Sequence, residues 1–280
     1  TKQNEGEKKM SVFKSEENRR QIRRRYDEIL SPFPFQQRYV DTTVGKTFLL
    51  EAGEKSAPTV VLLHGSCSNS AFWFGEMLAL SQMYHVCAVD IPGEAGNSED
   101  NRLDLKTEVY ANWLKETMGA LGIERASLVG NSLGGWMALR FAVSYPERVE
   151  KLALIATSGL SKQSPATMDT TDEGKAGLES EVKESAKLPE EVEAFINLIL
   201  EGYLPIREEL PVFSDEQLRS LTMPVLFVAG ENDVMTDTKA AADRLKAILP
   251  QAETHLLKNT GHIVLNSLDY LLPFLADGRV

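Results

Sequence analysis

Five stretches of contiguous apolar residues recur along the chain: "PTVVLLHG" (58–65), "HVCAVDIPG" (85–93), "ASLVGN" (126–131), "VEKLALIAT" (149–157) and "MPVLFVAG" (223–230). A strand with one face in water alternates apolar and polar residues, whereas a run of this kind must be covered on both faces. Stretches with helical periodicity at 107–121, 133–144 and 237–249 lie between or after these runs. Together they specify a mostly parallel sheet flanked by helices, an α/β architecture. A weaker run, "AETHLLKN" (252–259), reads as a last strand, and "QRYVDTT" with "KTFLLEAG", joined at Val44-Gly45, as a hairpin ahead of the parallel part.

Two segments stand outside this alternation. Residues 158–222 separate the fourth and fifth runs, too many for a plain connection, and carry six Lys/Arg against fourteen Asp/Glu. Within them Pro189 sits where a first helical turn tolerates proline, followed by Glu190 and Glu191. Val192, Phe195, Ile196 and Ile199 then share one face before Gly202. This predicts an inserted cap, 158–222, with at least one amphipathic helix, set into a core of residues 36–157 and 223–280. The apolar face could pack on the sheet domain, roof a pocket, or meet a second copy of the chain, which leaves the oligomeric state open. Residues 1–35 form the other segment. A polar helix over 15–30 ends at "SPFPF", and residues 1–30 hold nine Lys/Arg against six Asp/Glu, including Arg19, Arg20, Arg23, Arg24 and Arg25. Acidic residues interrupt this basic run, which is the pattern of a solvated helical face.

The 280 residues, 42% of them hydrophobic, suffice for a sizeable core. A formal net charge of −11 and a pI near 5.0 argue against general affinity for nucleic-acid phosphates or anionic membranes. No apolar run reaches the length of a membrane span and no signal-peptide pattern stands at residue 1, so a cytoplasmic protein is expected. Cys67 and Cys87 do not make a disulfide framework and are expected as thiols.

The most specific chemical signal is "SLVGNSLGGW" (127–136), where a predicted strand runs into a predicted helix and Ser132 stands between Gly130 and Gly134. A sharp turn at this junction exposes the serine and leaves no room for side chains on either side. A serine hydroxyl attacks only when a base takes its proton, and a carboxylate must hold that base in the right tautomer. Of four histidines, His85 and His255 fall in strands and His64, in "LLHGS", is placed to fix its loop. His262, in "NTGH", follows the last strand on a loop. For the acid, Asp233 in "AGENDVMTD" is chosen over Glu231, early in the turn, and Asp237, at a helix start. A tetrahedral oxyanion needs preorganised donors: the backbone N–H of Leu133 at the helix start supplies one, and that of Ser66, after "HG", is the expected second.

With "LLHGS", "VDIPGEAGNS", "GNSLGGW", "GENDV" and "NTGH" in this order, the chain from about residue 36 onward resembles the α/β-hydrolase superfamily. "YANWL" (110–114) and "FSDEQLRS" (213–220) are further similar to the bacterial carboxylesterase NP, or naproxen esterase, group. The resemblance implies an α/β-hydrolase fold and hydrolysis of small-molecule carboxylic esters by Ser132, His262 and Asp233, with no cofactor and no metal. It also implies that Asp90 stabilises a loop. The chain departs from the usual D-x-P-G-x-G-x-S pattern by one extra residue in "DIPGEAGNS".

A carbon–carbon bond hydrolase, a lactonase or a cofactor-free haloperoxidase would carry the same three residues, and a slow-turnover ligand receptor or scaffold would be a rival from another class. Phe72, Trp73, Phe74, Trp136 and Phe195 are candidates for lining the pocket.

Overall fold

The computed structural model describes residues 11–163 and 188–278. Residues 164–187, which hold most of the polar piece in the expected cap, lie outside the described residues.

Eight strands form one sheet in the order β1-β2-β4-β3-β5-β6-β7-β8. The hairpin strands β1 (Gln36–Thr42) and β2 (Gly45–Ala52) pair antiparallel, and β2 pairs antiparallel with β4 (His85–Val89). From β4 onward, through β3 (Thr59–Leu63), β5 (Ala126–Asn131), β6 (Val149–Ile155), β7 (Val225–Gly230) and β8 (Glu253–Leu257), every pairing is parallel. The apolar residues of the central strands are buried, as continuous apolar runs require. Their side chains divide between two cores: Leu63, Leu128, Leu154 and Phe227 face one layer of helices, and Leu62, Val129, Ile155 and Val228 the other.

The first layer contains α3 (Val109–Ala120), α4 (Leu133–Ser144) and α7 (Thr238–Ile248), the last N-capped by Asp237, whose carboxylate accepts the Ala240 N–H at 2.9 Å. The second contains α1 (Glu16–Leu30), α2 (Phe74–Leu80), α5 (Glu190–Gly202) and α8 (Leu268–Ala276). A short helix, α6 (Asp215–Arg219), carries a capping box between Ser214 and Gln217 that the apolar periodicity of so few residues does not reveal.

Strands β3 and β4 end earlier than their apolar runs, at Leu63 and Val89. His64 and Asp90 there begin loops instead of continuing the ladder. The Asp90 carboxylate accepts the Ser70 and Asn97 N–H groups at 2.8 and 2.7 Å, which turns the chain out of the sheet.

The two outlying segments are joined to each other. Lys14 N–H donates to Gly202 O at 2.9 Å and Leu204 N–H to Val12 O at 2.8 Å, with Phe13 and Tyr203 bridged. Phe195 of α5 stacks on Phe72 at 5.7 Å between ring centres, and Tyr26 of α1 lies 6.5 Å away. The apolar face of α5 thus meets the N-terminal helix as well as the sheet domain. On α1, Arg19, Arg20, Arg24 and Arg25 pair with Glu16, Glu17 and Glu28 on the solvated side, as the interrupted basic run implies. Arg23 differs: its guanidinium donates to the carbonyls of Gly96 and Ser98 at 3.1 and 2.9 Å, and burial lowers its pKa.

Candidate active site

Ser132 occupies the junction of β5 and α4 with φ 50° and ψ −111°, a backbone conformation costly for a non-glycine residue. The flanking glycines explain how the turn is held. A Cβ on Gly130 would lie 2.4 Å from Gly134 O, and one on Gly134 would lie 2.0 Å from Leu63 O at the end of β3. The clash is thus within the turn on one side and against the neighbouring strand on the other. A third glycine belongs to the same device: a Cβ on Gly135 would sit 2.1 Å from the Thr157 hydroxyl.

Asp233 and His262 come from the loops after β7 and β8. Gly230 lets those loops meet, since a Cβ there would be 2.1 Å from Thr260 O, and Asn232 N–H donates to that same carbonyl at 3.0 Å. The Asp233 side chain is fully buried and that of His262 is 11% exposed. His262 Nε2 lies 3.0 Å from Ser132 Oγ, and Nδ1 lies 2.8 Å from Asp233 Oδ2. Asp233 is itself fixed: Oδ1 accepts the N–H groups of Met235 and Thr236 at 2.7 and 3.2 Å, and Oδ2 also accepts the Thr236 hydroxyl. The structure therefore brings together the three side chains read from the sequence. Asp237 is a helix cap and Glu231 is exposed, so neither competes.

Beside Ser132 lie two groups of backbone donors. Leu133 is the first residue of α4, so its N–H has no acceptor within the helix. The loop after β3 approaches from the other side, where a Cβ on Gly65 would be 3.5 Å from Ser132 Cβ. Its Gly65–Ser66 peptide is oriented by His64, whose Nδ1–H donates to Gly65 O at 2.8 Å while Nε2 accepts the Ile91 N–H at 3.0 Å. Burial lowers the His64 pKa and keeps the imidazole neutral, as this pair of contacts requires. In a trans peptide the N–H points opposite to the carbonyl, so the ring that holds Gly65 O also aims Ser66 N–H.

The remaining candidates separate. Trp136 is fully buried, donates its indole N–H to Pro211 O at 2.9 Å and packs on Phe213, so it belongs to the core and does not line a pocket. Phe74 is exposed and leans on Phe33. Among the described residues, Glu51, His85 and Cys87 are the one cluster with metal-ligand chemistry. Its Glu51 carboxylate is already taken up by Arg38, Lys55 and His85 at 3.2, 3.3 and 2.7 Å, and burial pushes the Cys87 thiol up to about 12. A cation would have to displace two others and deprotonate that thiol, so the cluster is an ion-paired group joining β2 to β4.

A nucleophile elbow after β5 of a mostly parallel sheet, with the acid after β7 and the histidine after β8, defines the class of α/β-hydrolases. The chain belongs to this family: residues 58–191 match the alpha/beta hydrolase fold. It is 32% identical over 274 residues to carboxylesterase YbfK of Bacillus subtilis, covering 90% of this chain and 93% of that one. The crystal structure of the same enzyme, also called CesB, superposes with a TM-score of 0.83 at 31% identity over 94% of this chain and 99% of that one. The naproxen esterase (carboxylesterase NP) of B. subtilis superposes with a TM-score of 0.79 at 26% identity over 94% of this chain and 99% of that one.

Proposed function

We propose that the protein is a serine carboxylesterase. The observation that carries this reading is the unbroken line from Ser132 Oγ through His262 to the buried Asp233, with contacts of 3.0 and 2.8 Å. The similarity to carboxylesterases over nine-tenths of the chain supports the same chemistry.

Ser132 Oγ attacks the ester carbonyl carbon as its proton passes to His262 Nε2. Asp233 accepts the Nδ1–H bond, keeps Nε2 free to act as base and stabilises the imidazolium. The tetrahedral oxyanion accepts hydrogen bonds from Leu133 N–H and Ser66 N–H. His262 then returns the proton to the departing alkoxide, and the acyl group stays on Ser132. Water, deprotonated by His262, attacks the acyl-enzyme, and His262 returns that proton to Ser132 Oγ as the bond to the acyl group breaks and the acid is released. No step in this sequence calls for a cofactor or a metal.

The substrate is a small-molecule ester, and the acidic insertion disfavours strongly anionic ones. Among the described residues no helix is long and apolar enough to cross a membrane. A cytoplasmic setting is part of this reading.

The test is the initial hydrolysis rate of p-nitrophenyl esters of increasing acyl length, for wild type beside Ser132→Ala. Serine-dependent turnover with a chain-length optimum is expected. Turnover unchanged by Ser132→Ala would overturn the reading.

A further inference from the structure

The extra residue in "DIPGEAGNS" falls in the loop after β4, where the chain carries a buried acid that the triad does not use. Glu94 is 2% exposed. Its Oε2 accepts the Cys67 N–H at 2.9 Å, and the Ser66 hydroxyl donates to the same carboxylate at 3.3 and 3.5 Å. Cys67 is held there with φ 53°, in the left-handed region.

These contacts complete the control of the loop beside Ser132. His64 fixes the Gly65–Ser66 peptide through its carbonyl, and Glu94 fixes the next peptide, Ser66–Cys67, through its N–H. Two successive peptide planes are thus pinned by two buried side chains from opposite ends, and the Ser66 N–H lies between the pins.

Behind Glu94 stands the inserted segment. Tyr203, the first residue after α5, is fully buried and donates its hydroxyl hydrogen to Gly93 O at 3.1 Å. Arg102 donates to the Tyr203 oxygen at 3.2 Å and covers the ring at 5.5 Å. Gly93, with φ +80°, lies so close to Arg102 that a Cβ would sit 2.8 Å from the Arg102 Cα. The charged and titratable groups facing Glu94 are Arg102, Tyr203, Tyr110 and Cys67, from four separate stretches of chain. Arg102 draws the Glu94 carboxyl down, yet burial outweighs it and pushes the group up to about 7. An apolar side chain would fill this space at lower cost if filling were the only requirement.

We propose that Glu94 is a positioning residue for ester hydrolysis. By clamping the Ser66–Cys67 peptide it aims the Ser66 N–H at the oxyanion, and through Gly93 and Tyr203 it ties that aim to the seating of the inserted segment. The inference rests on the triad reading above, because it assigns Glu94 a task only if an oxyanion forms at Ser132.

The experiment measures kcat and KM for p-nitrophenyl acetate with wild type, Ser132→Ala, Glu94→Leu, Glu94→Gln and Tyr203→Phe, each checked by thermal unfolding. Glu94→Leu is expected to lower kcat by about ten- to a hundredfold, below the cost of deleting an oxyanion donor outright, with KM within about threefold. Glu94→Gln, whose amide oxygen still accepts the Cys67 N–H, is expected to restore kcat to within about threefold of wild type. Tyr203→Phe is expected to lower kcat about three- to tenfold at unchanged KM, and it carries the test if Glu94→Leu does not fold. A folded Glu94→Leu protein with wild-type kcat would overturn the proposal, as would a Glu94→Gln protein as impaired as Glu94→Leu, or, where Glu94→Leu does not fold, an unimpaired Tyr203→Phe protein. If Ser132→Ala retained full activity, the esterase reading itself would fall, an outcome distinct from all of these.

Discussion

Tyr26 on the N-terminal helix donates its phenolic hydrogen to Asp90, 64 residues further along the chain, across 3.0 Å. Both side chains are fully buried, and Asp90 at the same time accepts the backbone N–H groups of Ser70 and Asn97. One hydrogen bond therefore ties α1 to the two loops that follow β3 and β4, the loops that wall the site. Burial, with the Asp90 carboxylate beside it, raises the Tyr26 pKa and keeps the phenol a donor.

Tyr26→Phe removes the donor and leaves Asp90 with one partner fewer in a dry site. The expected loss is about 1.5–3 kcal/mol, the range for a hydrogen bond to a charged group. Urea unfolding of the variant beside wild type measures it. A change under about 0.5 kcal/mol, the usual effect of a surface substitution, would mean that water or a shifted neighbour replaces the bond.

Asp233→Asn conserves shape and removes the charge that selects the His262 tautomer. The amide can present N–H to Nδ1 and turn the wrong nitrogen toward Ser132. A fall in kcat on the order of 10⁴, with KM little changed, is expected for an orienting acid of this kind. Steady-state kinetics on a p-nitrophenyl ester give the answer, and a loss smaller than about tenfold would assign the orienting role elsewhere.

Two glycine-to-alanine changes should move stability in opposite directions. Gly134→Ala places a methyl group 2.0 Å from the backbone oxygen of Leu63, which cannot move without disturbing β3. Overpacking against backbone costs about 3 kcal/mol or more, and the elbow is expected to distort with it. Gly119, near the end of α3, is exposed and has nothing within 4 Å of its would-be Cβ. Gly119→Ala should stabilise by about 0.4–1 kcal/mol through the unfolded chain's lost freedom. Thermal unfolding of the pair decides, and equal effects would contradict the contrast in packing.

The Glu94 carboxyl, moved from 4.5 to about 7 by burial, makes stability depend on pH. Between these values the folded protein holds a proton that the unfolded chain has released. The stabilising contribution is therefore complete below pH 4.5 and is lost as pH rises through 7. The difference in unfolding free energy between wild type and Glu94→Gln should shift against wild type by about 3 kcal/mol across this window, at 1.36 kcal/mol per unit. Chemical denaturation at several pH values reads it directly. A difference that stays flat would place the Glu94 pKa near that of an ordinary carboxylate.

The parallel sheet, the elbow and the order of the three candidate residues were legible in the chain itself. Short contiguous apolar runs rich in β-branched residues and bounded by turn signals read as strands covered on both faces. The G-x-S-x-G turn announces itself because its geometry removes side chains at fixed offsets, and β5 and α4 run over 126–131 and 133–144 as their residues imply. Histidines are few enough that position alone singles out His262. Local rules of this kind act over a few residues and leave a mark on sequence. What only the tertiary structure decided depends on residues far apart in the chain. The seat of Arg23 among solvated arginines, the bond from Tyr26 to Asp90 and the burial of Trp136 all depend on distant partners. The role of Glu94 depends on them too, since its carboxylate meets residues 66 and 67 of another loop and its own loop meets Tyr203 of the insertion. A glutamate in a loop reads as solvated until packing closes over it, because burial belongs to the assembled layers and not to any stretch of chain.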